Sequence, residues 1–424
     1  MTGSHQPRGN VVSVLDVGTS KMCCVIARTG PLRASDAPHG RSLAIDVIGI
    51  AHQQSDGIRN GQVTDLSAAE RAIRRTVDAA EARAGLAVGS LIVNAPSGAL
   101  VSETTVGTTS IGGDEVTDGD VERALRSATR SAGGSELRTL HSLPSRFQLD
   151  DADDIDDPVG MEGAELRVGC HYVHGKSGTL RNLERAINRA HLEVERMVAS
   201  PYASALASLI DDEARLGCVV IDMGAGATSW AIMSDGRFVH GDTVAVGGRH
   251  VTSDLARGLS LPIEQAERLK VLEANVAPMA VQMDRSSLAW PQSDGANALA
   301  TIPREQVARI ATPRLEETFE LVRKRIRVSG HGRQADRRIV LTGGAAQLGG
   351  LGDLARRMLA RNVRIGRPVG VRGLAPHHKT PAFSTAVGLA VFPQVEGSER
   401  HVGSPFALPA SGRLARLGRW FRDF

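Results

Sequence analysis

The stretch Val219-Val220-Ile221-Asp222-Met223-Gly224-Ala225-Gly226-Ala227-Thr228 reads as a buried strand that ends in a carboxylate and runs into a glycine turn. A second apolar run, 229–233, follows it, so the turn joins two strands rather than a strand and a helix. The same grammar occurs near the start of the chain. There Leu15-Asp16-Val17-Gly18-Thr19-Ser20-Lys21 closes the run 11–15 and leads to the apolar segment 21–27. Glycines without a Cβ expose backbone amides that cradle phosphate oxygens, and Thr19, Ser20, Lys21 and Thr228 add donors. Each aspartate at a strand end is placed to hold magnesium through water. One Asp-x-Gly turn is ordinary. Two, each between strands, point to a duplicated phosphate clamp on two similar lobes.

A third glycine turn, Gly343-Gly344-Ala345, follows the Ile339-Val340-Leu341 run and lets a flat base or ribose approach the backbone. Glu267 and Lys270 stand at i,i+3 on one helix. They are either a polar pair for ribose hydroxyls or a surface salt bridge, and spacing alone does not choose. Other nucleotide motifs fail. Gly175-Lys176-Ser177 has Cys170 where a P-loop needs glycine, and the 224–226 turn opens into a strand, against a Rossmann dinucleotide fold. His141 and Ser142 lack the GxSxG setting of a nucleophile elbow.

The 424 residues suffice for two or three domains. Aromatics are 3%, so Val, Leu, Ile and Ala must build the core. Fifty basic against 47 acidic side chains argue against a nucleic-acid binder. The four cysteines, Cys23, Cys24, Cys170 and Cys218, fall in apolar strand-like runs and read as buried free thiols of a cytosolic protein. Adjacent Cys23 and Cys24 are expected on opposite faces of one strand. His171 and His174 lie near Cys170 without metal-ligand spacing. Residues 1–10 lack a signal-peptide core, and no apolar run reaches spanning length, so membrane attachment would be peripheral.

Helices are expected over 67–84, with Ser67 capping and Glu70 completing a capping box, and over 118–132, 180–189, 202–210, 250–259, 263–271, 304–327, 351–359 and from 381. Pro313 is expected to kink the long one. The segment 192–199 reads as a connection, 150–157 as a solvated acidic loop or a calcium site without EF-hand spacing, and 272–301 as mostly irregular. Residues 393–411 read as a flexible linker. Beyond it, 412–424 forms a short amphipathic helix. At about 100° per residue, Leu414, Leu417, Trp420, Phe421 and Phe424 share an arc of roughly 120°, with Arg416, Arg419 and Arg422 opposite or flanking. Such a helix is too short to persist in water but gains an apolar face and anionic lipid contacts at a membrane. Folding back into a groove on the body is the other reading.

These cassettes, with Val246-Gly247-Gly248-Arg249, resemble the actin/sugar kinase/heat-shock ATPase superfamily. Ser200-Pro201-Tyr202-Ala203-Ser204-Ala205, the Glu267-x-x-Lys270 pair, the long gap between the first two cassettes and the terminal helix are similar to the FtsA family within it. The resemblance implies an α/β, actin-like two-lobed ATPase fold with an FtsA-type α+β subdomain inserted in the first lobe. The first-lobe core would be 11–96 plus 170–210 and the protein-contacting insert 97–169. The second-lobe core would be 215–247 plus 329–392, and its small subdomain, 248–328, would dock FtsZ. Arg304 and Glu305 are plausible members of that docking surface.

It further implies ATP and Mg2+ as cofactors. Asp16, Gly18, Thr19, Ser20 and Lys21 would form the first phosphate loop, and Asp222, Gly224, Ala225, Gly226 and Thr228 the second. Gly247, Gly248, Glu267, Lys270, Gly343, Gly344 and Ala345 would line the nucleoside side, with Asp16 and Asp222 holding Mg2+ through water. The expected role is an actin-like division protein at the cytoplasmic face of the bacterial inner membrane. It would tether the FtsZ C-terminal tail, assemble with copies of itself, recruit later division proteins and rest on anionic lipids. ATP hydrolysis would be slow or absent, and the residues name no catalytic base. A sugar or small-molecule kinase of the same superfamily is the alternative.

Overall fold

The computed structural model describes residues 10–32, 43–96, 98, 100–130, 136–277, 286–291, 299–333, 338–360 and 362–396. Most of the linker and the whole 412–424 helix read from sequence lie outside the described residues.

Strands β1 (Val11–Val17), β2 (Lys21–Gly30) and β3 (Ala44–Gln54) make an antiparallel meander. A two-residue ribbon, β4 (Ile58–Arg59) and β5 (Gln62–Val63), reverses at Asn60 and Gly61, both with positive φ. Helix α1 (Leu66–Ala84) buries Ala69, Ala72, Ile73, Val77 and Ala80 at three- and four-residue spacing. Its cap is Asp65, whose carboxylate accepts the Ala68 N–H at 2.9 Å, and not Ser67. Glu70 is drawn instead to Arg189, 2.7 Å away on another helix. Strand β6 (Ser90–Ala95) then lies parallel to β1.

The inserted unit comprises β7 (Leu100–Ser110), α2 (Asp118–Arg130), β8 (Leu137–Leu149), β9 (Ala152–Ile155) and β10 (Glu165–Lys176), in sheet order β7-β10-β8-β9. Its own small core joins Val121, Leu125, Phe147, Leu166 and Tyr172. Because β10 pairs with β7 and β8 along its length, the unit runs on to Lys176, past the boundary at 169 read from sequence. The acidic segment is solvated as expected, but β9 gives it strand structure where a loop was expected. Asp150 turns at φ 50° and its carboxyl accepts the backbone N–H groups of Ala164 at 3.0 Å and Glu165 at 2.8 Å, which hold it below the usual range. Asp156 pairs with Arg237 of the second lobe at 2.9 Å. On β10, Cys170 enters the insert core while His171 faces the opposite way against Phe238, so the two cannot share a metal ion.

Helix α3 (Ser177–Arg189) crosses back to β11 (Glu193–Ala199), a true strand where a connection was expected, followed by α4 (Ser200–Ser208) and α5 (Asp211–Leu216). The first-lobe sheet is therefore β11-β6-β1-β2-β3.

The second lobe repeats it. Strands β12 (Cys218–Met223), β13 (Thr228–Ser234) and β14 (Arg237–Val244) form the antiparallel meander. Next come α6 (Gly248–Gly258), α7 (Ile263–Glu273), a hairpin of β15 (Ser287–Pro291) and β16 (Leu299–Pro303), and α8 (Arg304–Val328). The hairpin corrects the irregular reading of that stretch, and α8 continues through Pro313 without a break. Strand β17 (Ile339–Thr342), helix α9 (Leu351–Met358), strand β18 (Val363–Ile365) and helix α10 (Ser384–Val391) complete the lobe. Its sheet order, β14-β13-β12-β17-β18, matches the first lobe strand for strand and direction for direction.

One core cluster fills the space between the two sheets and contains α4 and α10; others cover their outer faces. Cys23 belongs to the inner cluster and Cys24 to the outer one, as strand alternation requires, and all four thiols are buried and unpaired. The helices α4 and α10 cross where Gly388 meets Ala203.

Candidate functional site at the seam of the lobes

Each central hairpin closes with the same hydrogen bond. The Gly18 N–H donates to the Lys21 carbonyl and the Gly224 N–H to the Ala227 carbonyl, both at 3.0 Å. A Cβ on Gly18 would stand 2.7 Å from the Lys21 oxygen, so the first turn admits no side chain there. Asp16 pairs in register with Cys23 and Asp222 with Ser229, so the duplicated sheets deliver both carboxylates to corresponding strand ends.

The two turns face one cleft of about 280 Å3. Its walls include Asp16, Gly18, Thr19, Ser20 and Lys21 from the first lobe and Asp222, Gly224, Ala225 and Gly226 from the second. Gly248, Glu267, Lys270, Gly343, Gly344 and Ala345 line it as well. Two expected residues do not. Thr228 is fully buried and donates its hydroxyl to Val246 O at 2.8 Å, and Gly247 packs behind the second turn against Gly224 O. Sequence reading missed Asn60, Asn94, Ser200, Ala382 and Thr385, which also line the cleft. Asn94 accepts the Val17 N–H at 2.7 Å and bonds Ser200, bracing the first turn from behind. Its only sequence signal is a lone amide at the end of a buried strand. The lobes touch at Gly226, where a Cβ would meet Thr19 Oγ1 at 2.6 Å.

Burial and the nearby Asp222 charge push Asp16 up to about 7, against the pull of Lys21. Burial also raises Asp222, opposed by hydrogen bonds from Ser204 at 2.5 Å and Thr385 at 3.1 Å to Oδ2. Two desolvated carboxylates on one cleft form a hard-oxygen donor set that suits Mg2+ shared with phosphates and water. Gly343, at φ 86°, is required beside them, because its Cβ would sit 2.3 Å from Asp222 Oδ1. Glu267 and Lys270 are joined at 2.7 Å, and Lys270 also donates to Thr252 at 2.9 Å and Gly248 O at 3.2 Å. The pair is thus a salt bridge and part of the cleft wall at once.

Two matched five-stranded halves with aspartate–glycine turns meeting over a cleft define an actin-like α/β fold. Solved structures agree. The type IV pilus biogenesis complex PilM–PilN superposes with a TM-score of 0.61 at 17% identity, covering 93% of this chain and all of that one. MreB5 of Spiroplasma citri bound to ADP gives 0.53 at 14% identity, covering 92% and 98%. At those identities the likeness speaks for the fold alone.

The family model for cell division protein FtsA matches residues 219–388, and that for the SHS2 domain inserted in FtsA matches 98–174. The cell division protein FtsA of Rhizobium meliloti is 48% identical over 421 residues, 98% of this chain and 95% of that one. That of Pseudomonas aeruginosa is 31% identical, covering 97% of each. The chain belongs to the FtsA family of cell division proteins.

Proposed function

We propose that this protein binds Mg2+ and ATP in the cleft and acts as an actin-like scaffold of cell division, fastening FtsZ filaments to the cytoplasmic membrane. The observation that carries the reading is the pair of identically hydrogen-bonded Asp-x-Gly turns facing one cleft between duplicated lobes. The amides of Thr19 and Ser20 and of Ala225 and Gly226 would cradle phosphates, with the Thr19, Ser20 and Lys21 side chains as further donors. Asp16 and Asp222 would hold Mg2+ through water, and the ion would supply charge neutralisation and orientation of the phosphates. Gly248, Glu267, Lys270 and the Gly343–Ala345 turn would receive the nucleoside. A ligand that touches both turns binds the closed arrangement better than an open one, so it biases lobe closure. That bias would order the surfaces on which copies assemble.

In this reading the 248–328 region takes the FtsZ C-terminal tail, the insert meets other division proteins and further copies, and 412–424 rests on anionic lipid. No helix among the described residues is long and apolar enough to cross a membrane. A kinase would need a carboxylate facing a substrate hydroxyl. The cleft carboxylates are Asp16 and Asp222, set against the phosphate turns, and Glu267, paired with Lys270.

The test is co-sedimentation with anionic vesicles, with and without ATP, comparing the full chain with one ending before Ser411. Each arginine near an anionic surface contributes about 1 kcal/mol, and the inserted apolar groups several more. Truncation should therefore lower the bound fraction at least about tenfold. Equal pelleting of both chains would contradict the membrane role.

A further inference from the structure

The Lys21 ammonium forms no ion pair with Asp16 or Asp222, the carboxylates at the phosphate turns. It donates to the Ala382 carbonyl at 2.5 Å and lies 3.5 Å from the centroid of the Phe383 ring. That ring is almost fully buried and is itself held edge-on by two imidazoles, His52 at 5.4 Å and His378 at 5.0 Å. His52 comes from the first lobe, while His378 and Phe383 belong to the second. The box therefore spans the seam. Burial pushes His378 down to about 4 and lowers His52 too, with the positive charges of Arg83 and Lys21 contributing to both.

The four residues that follow Pro381 touch both phosphate turns. Ala382 and Phe383 hold Lys21 of the first. Ser384 accepts from Thr342 at 2.7 Å, and Thr385 donates to Asp222 of the second at 3.1 Å. Ser384 and Thr385 open α10, which packs on α4 between the sheets.

We propose that Phe383 is a positioning residue for Lys21: its ring face holds the ammonium at the cleft wall, clear of Asp16 and Asp222, ready for the phosphate chain of a nucleoside triphosphate. The inference rests on the nucleotide reading of the cleft and adds the element that sets the lysine donor of the first phosphate turn. A lysine is a flexible point charge. Left unheld beside two buried carboxylates, it collapses onto them and is neutralised before a ligand arrives. An aromatic face attracts the cation without cancelling its charge, and a phosphate chain can then recruit it. Because Phe383 caps α10, that recruitment also reaches the helix pair on which the lobes close.

The experiment is calorimetric titration of Mg·ATP into the full chain with Phe383 replaced by mono-, di- and trifluorophenylalanine. These rings keep their shape while losing the negative face, so folding is spared. Affinity should fall stepwise, by about fivefold at the third fluorine, and Phe383→Tyr should stay within about twofold. On a Lys21→Met background the fluorinated rings should have no further effect, an outcome a purely structural role for Phe383 would not give. Affinity that ignores fluorination, rises with it, or falls equally without Lys21 would overturn the assignment. A wild-type chain that does not bind Mg·ATP would instead overturn the reading of the cleft, and this role with it.

Discussion

Replacing Gly388 with alanine should destabilise the folded chain by about 2–6 kcal/mol, read from the urea dependence of its circular dichroism. A Cβ at Gly388 would lie 1.7 Å from the carbonyl oxygen of Ala203 and 2.4 Å from its carbonyl carbon. Both are main-chain atoms of α4, which cannot swing aside as a long side chain can. The helices must separate, and α4 carries only small or well-packed residues there, with Ala203, Ala205 and Ala207 fully buried. Overpacking of this kind costs about 1–3 kcal/mol. Separation also strains the buried polar net in which Ser204 of α4 and Thr385 of α10 meet each other at 2.9 Å and both bond Asp222. Leaving such groups unpartnered costs about 1–3 kcal/mol more. A loss below about 1 kcal/mol would mean that the helix pair is looser than the structure shows.

Gly226→Val should leave stability nearly unchanged yet weaken Mg·ATP binding by about ten- to a hundredfold. No positive φ constrains this glycine, so valine meets no backbone strain. What it meets is the other lobe, since the first added carbon would stand 2.6 Å from Thr19 Oγ1 and 3.1 Å from the Asn60 Cα. A wedge there props the turns apart at the cleft, away from the buried residues of the shared and outer cores. The expected pattern is lost affinity with a preserved unfolding midpoint. Lost stability with preserved affinity would show that closure of this seam is not what binding requires.

The central hairpins were legible because their signal is local and repeated: an apolar run, an aspartate, a glycine turn and a second run, twice. From that duplication the two-lobed fold followed, and the structure repeats even the strand order. What stayed hidden depends on distant partners. Nothing near Ala382 or Thr385 marks them as cleft residues; they reach it because α10 returns between the sheets more than 150 residues after β12, as the Thr385–Asp222 bond shows. Strand β11 begins Glu193-Val194-Glu195-Arg196, half exposed, and only its last three residues are buried, so its pattern is too short to stand out. The α1 cap was misplaced because Asp65 and Ser67 are both competent caps two residues apart. The loop before Asp65, tied back to Gly57 O by its own N–H, decides between them. Thr228 looked like a phosphate donor by analogy with Thr19, but a strand residue one step past the turn points into the sheet core.

The most direct test of the account is titration of ATP, with and without Mg2+, into the wild-type chain and into Asp222→Asn. Asparagine keeps the size of a side chain that is already buried and hydrogen-bonded, so the fold should survive. The account predicts saturable, Mg2+-dependent binding to the wild type and a loss of about tenfold or more in the variant. No binding by the wild type, or binding indifferent to both the metal and Asp222, would contradict it.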